Sequence, residues 1–255
     1  MIFLKFKVIS LNTAFIFTVL LLTAGFVGAL TFTQTAVTVN NTSRKLPVYR
    51  VETKEKKIAV TFDAAWSADD TDELIEILKK HNAEATVFAV GSWVRENPEA
   101  VKKIYDAGHE IGNHSDTHVL FGTADRNTVK SEIENCNAEI EKITGEKPKL
   151  VRAPSGDYDD KSIEVAESLG MKMIQWDVDS LDWKKPSVDE MFERVMKKTE
   201  GGSILLFHNG IENTPRALDK ILTELQKDGY EFVTVGELIY WENYTIDNSG
   251  KQIKL

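Results

Sequence analysis

The sequence predicts an α/β barrel of about seven strands, and three observations carry that reading. From Lys57 onward, short apolar runs alternate with amphipathic helical patterns, the order that builds a parallel sheet covered by helices. Gly108, Gly170 and Gly229 each follow a helical stretch and precede a strand, where a left-handed cap ends one unit and opens the next. Asp63, His114, Arg152, Asp179 and His208 fall at or just beyond strand ends. Periodicity alone also allows an open doubly wound sheet. Such a sheet gathers its site at one switch point, whereas a barrel draws residues from many strand ends.

The N-terminal part differs in kind. Lys5 and Lys7 precede an uncharged, largely apolar run over residues 8–32. A run of roughly 25 such residues is long enough to cross a bilayer. Residues 1–32 read as a signal-anchor or, given small residues at Gly25, Gly28 and Ala29, as a cleavable signal peptide. In both cases the leading lysines stay in the cytoplasm and the rest of the chain is extracytoplasmic. Residues 33–55 are polar, contain Arg44, Lys45 and Arg50, and read as a linker from membrane to domain.

The barrel units occupy 56–241. Apolar runs at 58–62, 85–90, 109–112, 150–152, 171–176, 203–207 and 230–234 are the expected strands. Helical periodicity spans 72–81, 98–107, 128–143, 162–169, 188–198 and 214–227. Pro98 and Pro215 stand near helix starts, where a missing N–H costs least. Residues 242–255 read as a C-terminal tail.

With 255 residues, 42% hydrophobic and 28% charged, the chain suits one globular domain plus a short appendage. A net charge of −9 sets the global field against nucleic acid and anionic lipid. The domain is read as a monomer. The single cysteine, Cys136, has no partner for a disulfide or a CxxC metal knuckle and reads as core filler.

Several residues carry chemistry. His114 and His118 are separated by three residues, a spacing that on a helical turn brings both rings to one face, where they can share a metal. The competing reading is a pair of surface histidines. Asp63 is delivered by an apolar strand, and an acid in that position in a cleft can take a proton from water. A helix cap is its alternative, although Asp69 and Asp70 stand closer to the next helix. His208 closes the apolar run Leu205-Leu206-Phe207, as a core histidine or, before the Asn209-Gly210 turn, as a ring facing a cleft. Arg152-Ala153-Pro154-Ser155-Gly156 and Asp179-Ser180-Leu181-Asp182-Trp183 add an arginine, two carboxylates and an indole after further strands. An ion pair from Arg152 to a strand-end carboxylate would hold that acid ionised and oriented.

Together these stretches resemble the polysaccharide deacetylase family, carbohydrate esterase family 4, also called the NodB homology domain. The resemblance covers about Lys57 to Ile239, with five motifs in family order: Thr61-Phe62-Asp63, His114 to His118, Arg152 to Gly156, Asp179 to Trp183, and Leu206-Phe207-His208. It implies a distorted, incomplete (β/α) barrel and metal-assisted removal of acetyl groups from an N-acetylated polysaccharide. In that scheme His114 and His118 hold a divalent metal, commonly zinc, and Asp63 is the general base. His208, aimed by Asp182, is the acid; Arg152 orients Asp63; a backbone N–H at Ser155 binds the oxyanion. Trp183 and Trp66 form an apolar wall.

The chain departs from the family at two points. Ala64 stands where the family carries a second aspartate, normally the third metal ligand, so the implied zinc site is weakened. Asp63 itself, a water, or another carboxylate such as Asp116 would have to fill the gap. Ser155 replaces a common aromatic residue. The altered first motif resembles a sporulation-associated branch, which makes peptidoglycan, ahead of chitin-like oligomers, the expected substrate. Two other readings compete: a glycan-binding domain without turnover, and a glycoside hydrolase using two of Asp63, Asp179 and Asp182.

Overall fold

The computed structural model describes residues 44–255, so the expected signal-anchor or signal peptide and the first part of the linker lie outside the described residues. Among the described residues no helix is long and apolar enough to cross a membrane. The described chain opens with β1 (Arg50–Val51), and then βα units follow one another. These are β2 (Lys57–Ala64), α1 (Thr71–Lys80), β3 (Ala85–Ala89), α2 (Gly91–Glu96), α3 (Pro98–Asp106), β4 (Glu110–Asn113) and α4 (Arg126–Thr144). Next come β5 (Leu150–Val151), α5 (Asp160–Ser168), β6 (Lys172–Met173), β7 (Val178–Asp179), α6 (Val188–Lys198), β8 (Ile204–His208) and α7 (Thr214–Lys227). The chain ends in β9 (Glu231–Val233), α8 (Val235–Leu238), β10 (Tyr244–Ile246) and β11 (Lys251–Lys254).

Strands β2 to β9 form one parallel sheet in the order β6-β5-β4-β3-β2-β8-β7, with β9 beside the start of β2. Among the described residues nothing pairs β6 with β7, so the sheet curls without closing. This is the incomplete barrel that the resemblance implies. Register sets the functional ends level: Asp63 pairs with Phe88 on one side and His208 on the other.

Strand alternation separates two apolar layers. Ile58, Val60, Phe62 and Ala64 turn outward and pack with Leu74, Trp93 and Leu218 of the helices. Ala59, Phe88, Leu150 and Ile204 turn inward and meet Val48, Val51 and Leu238. Each fully buried Val, Leu, Ile or Phe among these contributes about 1.5–3 kcal/mol.

The domain boundaries need correction at both ends. The linker reading fails for its last part, since Val48 and Val51 are only 2% and 1% exposed and Val51 N–H donates to the Gly202 carbonyl. The tail reading also fails, because β10 and β11 form an antiparallel hairpin and β11 pairs parallel with β1. The physical reason is the open barrel itself, whose apolar interior must be covered at its floor. An alternating run around Asp247-Asn248-Ser249-Gly250 was the available hairpin signal, with Gly250 at φ 81° in the turn. The strand expected at 171–176 is shortened to β6, a further short strand, β7, that was not expected follows it, and between them Trp176 lines the cleft. The short α2 and α8 have too few residues to leave a periodic trace.

Candidate active site

At the C-terminal mouth of the barrel, Asp63, Trp66, His114, His118, Ser155, Trp183 and His208 line one cleft of about 390 Å³, together with Ala65, Trp176 and Leu206. Arg152 and Asp182 lie fully buried beneath it. All nine residues singled out from the sequence are thus gathered at one end of the sheet, seven on the surface of the cleft and two behind it.

Asp63 is the last polar residue of β2, aimed inward while its neighbours Phe62 and Ala64 face the helices. Its Oδ1 accepts from Arg152 Nη1 at 2.7 Å, and its Oδ2 lies 3.4 Å from His114 Nε2. The Arg152 guanidinium sits 4.1 Å from the Phe88 ring and 5.4 Å from that of Trp176, and Nη2 donates to the Gln175 carbonyl. Burial pushes the Asp63 carboxyl up, but His114, Arg152 and His208 outweigh it and leave it below the usual carboxylate range. Arg152 and not His114 is the lasting cation in contact with Asp63, because burial takes the His114 imidazole down to about 4 despite the attraction of Asp63.

His114 Nδ1–H donates to the Arg152 carbonyl at 2.9 Å, which leaves the Nε2 lone pair facing the cleft. A buried neutral imidazole with its tautomer set in this way is the usual state of a metal ligand. The His118 ring lies 5.0 Å from it, centre to centre, at 72°. These donors fit a divalent cation held by two imidazoles. Among the described residues no group of three His, Cys, Asp or Glu side chains forms a metal cage. Ala64 carries no donor, and the Asp116 carboxylate turns to Arg95 Nη1 at 2.6 Å, so it does not replace the missing acid.

The expected helical turn for the histidine pair is not present. His114 to His118 follow β4 as an irregular loop, in which Ser115 and His118 take left-handed backbone with φ 69° and 63°. The loop is fastened by Glu132 of α4, whose Oε2 accepts from the Ser115 hydroxyl and from the N–H groups of Asp116 and Thr117. Glu132 was not legible beforehand, because its helical periodicity resembles that of any half-exposed position. Ser155, after β5, also has a positive φ of 56° and lines the cleft. Left-handed residues with side chains cost about 1–3 kcal/mol each and collect at functional sites.

On the opposite wall His208 ends β8. Its Nδ1–H donates to Asp182 Oδ1 at 2.6 Å, and its backbone N–H donates to Oδ2 at 2.7 Å. Asp182 also accepts from Trp183 N–H at 2.8 Å and the Thr214 hydroxyl at 2.9 Å. Burial lowers the affinity of the His208 ring for a proton, yet the bond and charge of Asp182 outweigh it and raise its pKa above the ordinary 6.5. Trp66 meets the His208 ring edge-on at 4.8 Å between centres. Trp66 and Trp183 are 46% and 49% exposed, so each offers a face to a ligand. With both Asp182 oxygens bonded out of reach, and Asp179 tied to Trp176 Nε1 and Leu181 N–H, the two-carboxylate hydrolase reading has no second free acid.

Comparison with known proteins agrees with this arrangement. The sequence profile of the family described as polysaccharide deacetylase matches residues 50–174. A peptidoglycan-N-acetylglucosamine deacetylase of Bacillus cereus is 36% identical over 200 residues, covering 76% of this chain and 93% of that protein. The uncharacterized protein YlxY of Bacillus subtilis is 33% identical over 193 residues, covering 76% of this chain, which spans 60% of that longer relative. Among solved structures, a CE4 family pseudoenzyme from Bacillus anthracis superimposes with a TM-score of 0.73 at 37% identity, covering 75% of this chain and 68% of that one. The chain belongs to the polysaccharide deacetylase family, carbohydrate esterase family 4.

Proposed function

We propose that this protein hydrolyses N-acetyl groups on cell-wall glycan of the peptidoglycan type, releasing acetate and leaving a free amine. The observation that carries the reading is the opposed pair across one cleft: an ionised Asp63 held by Arg152, and a His208 held protonated by Asp182. A pure binding site has no use for a poised base facing a poised acid.

Each residue then has a task. His114 Nε2 and His118 would hold a divalent cation, zinc by the choice of imidazole donors, and such an ion supplies Lewis-acid activation of water and carbonyl. Asp63 Oδ2 is not engaged by Arg152, and it takes the proton of the attacking water. The Ser155 N–H donates to the oxygen that gains charge as the acetamide carbon becomes tetrahedral. His208 Nε2 then gives its proton to the leaving nitrogen as the C–N bond breaks, while Nδ1–H stays on Asp182. Trp66, Trp183, Trp176 and Leu206 bound the cleft and take the acetyl methyl and a sugar face.

The peptidoglycan assignment rests on relatives named for that substrate in Bacillus cereus and Bacillus subtilis. In the same reading the protein works outside the cytoplasm as a monomer, anchored or secreted through its N-terminal segment, and serves a sporulation-associated role. A second reading has one specific observation in its favour. Ala64 removes a donor, and a pseudoenzyme shares the fold, so glycan binding without turnover is the rival function. The test is acetate release by the full-length chain from peptidoglycan fragments and chitin oligomers, with zinc supplied and with chelator. Release that chelator stops and zinc restores supports the enzyme; glycan binding without release in zinc assigns the rival.

A further inference from the structure

The loop from His114 to His118 is neither helix nor strand, and its backbone bonds are His114 N–H to the Ala89 carbonyl and the Ser115 and Asp116 carbonyls accepting from Gly91 and Ser92 N–H; both imidazoles face one cleft with ring centres 5.0 Å apart. Two left-handed residues, Ser115 and His118, make that turn possible, and neither is glycine. Such a backbone persists only where its surroundings over-determine it. The start of α2 holds the Ser115 and Asp116 carbonyls, and α4 holds the loop's N–H and hydroxyl groups. Glu132 Oε2 accepts from Ser115 Oγ at 2.7 Å, Asp116 N–H at 3.0 Å and Thr117 N–H at 2.8 Å. Its Oε1 accepts from Thr117 Oγ1 at 2.9 Å. The same helix holds the strand end before the loop: Asn113 Nδ2 donates to the Ile133 carbonyl and to Asn137 Oδ1, while Asn113 Oδ1 accepts from Ser115 N–H.

We propose that Glu132 is a positioning residue for the two-imidazole centre, clamping Ser115 to Thr117 so that His114 and His118 keep the spacing a single cation requires. The inference rests on the reading of those histidines as ligands. In a site with only two imidazoles, loop freedom is costly, because each ligand must be ordered on binding with no third donor to hold the cation meanwhile. Geometry also says what the position tolerates. A glutamine can place its oxygen where Oε2 accepts two backbone N–H groups, and its NH₂ can donate to Thr117 Oγ1, whose hydroxyl is free to rotate. An alanine supplies none of these bonds.

The experiment measures zinc affinity of the full-length protein by competition with a chromogenic chelator, together with kcat and KM for acetate release at rising zinc. Glu132→Ala is expected to weaken zinc binding roughly 10–100-fold, the scale of lost support behind a ligand, with kcat recovered as zinc is raised. Glu132→Gln is expected to stay within about threefold of the unmodified protein, since it keeps the backbone bonds. Recovery by metal and rescue by glutamine are readouts that general loop destabilisation does not give. Should Glu132→Ala fail to fold, Ser115→Ala and Thr117→Val, which each remove one donor, carry the test with about two- to tenfold weakening each. Unmodified zinc affinity in the variants, loss in Glu132→Gln as deep as in alanine, or loss that zinc does not recover overturns the clamp alone. Failure of the unmodified protein to bind zinc overturns the ligand reading and the clamp with it.

Discussion

Replacing Asp182 by asparagine separates the charge of this residue from its shape. The carboxylate is fully buried and accepts from His208 Nδ1–H, His208 N–H, Trp183 N–H and the Thr214 hydroxyl. Asparagine keeps one acceptor oxygen and turns an NH₂ toward the donors that faced the other. Two buried donors are left without a partner at about 1–3 kcal/mol each, so the expected loss of stability is roughly 2–6 kcal/mol. For a domain of this size that lowers Tm by about 5–20 °C. The effect on catalysis follows from sign. Asp182 raises the His208 pKa above 6.5 against burial, so His208 stabilises the fold fully below its unfolded pKa, and this contribution is lost as pH rises through the raised folded value. The alkaline limb of kcat for acetate release in the unmodified protein therefore lies above 6.5. In Asp182→Asn the bond and charge of Asp182 are lost and only the weaker pull of Asp63 and Asp179 opposes burial, so the limb moves to lower pH, with kcat at neutral pH reduced by roughly 10²–10⁴. The assay is a pH–rate profile taken well below the Tm of each protein. An unmoved alkaline limb, or a kcat reduced by less than about tenfold, refutes the role of Asp182 in setting the His208 proton.

Other perturbations test the remaining parts. Asp63→Asn removes the base and leaves the buried Arg152 charge uncompensated, so acetate release falls by roughly 10²–10⁴ and stability by about 3–5 kcal/mol; both are read from initial rates and thermal unfolding. Trp183→Ala removes a half-exposed ring from the cleft wall, and KM for glycan oligomers rises about 2- to 12-fold, the equivalent of roughly 0.5–1.5 kcal/mol, with kcat little changed. Val51→Asp puts an unpaired charge into the barrel floor, and thermal unfolding should show a loss of several kcal/mol, on the order of the penalty for an unmatched buried ion. A Tm equal to that of the unmodified protein assigns residues 44–51 to a loose linker after all.

The local signals that were legible share one property. Asp63 and His208 are polar residues ending apolar strands, and a strand end inside a curled sheet has one place to point. Helix limits read from periodicity and from Pro98 fall within a residue or two of α1, α3, α6 and α7. Where reading failed, the cause was a contact distant in the chain. The pair His114 and His118 has helical spacing but not helical form, because Glu132 and Asn137 on the next helix hold it otherwise. Asp116 sits between the histidines in sequence, yet Arg95 turns it away from them.

By itself, then, the sequence determined the order of βα units, the family, and which strands end in a base and an acid, since burial imposes its period on every element that forms the core. Only the tertiary structure decided that the barrel stays open between β6 and β7, and that residues 44–51 and the β10–β11 hairpin belong to the folded domain. It also decided that the carboxylate nearest His114 is Asp63 rather than Asp116. Those outcomes depend on hydrogen bonds and ion pairs between residues far apart in the chain, and such pairings leave no period in the sequence.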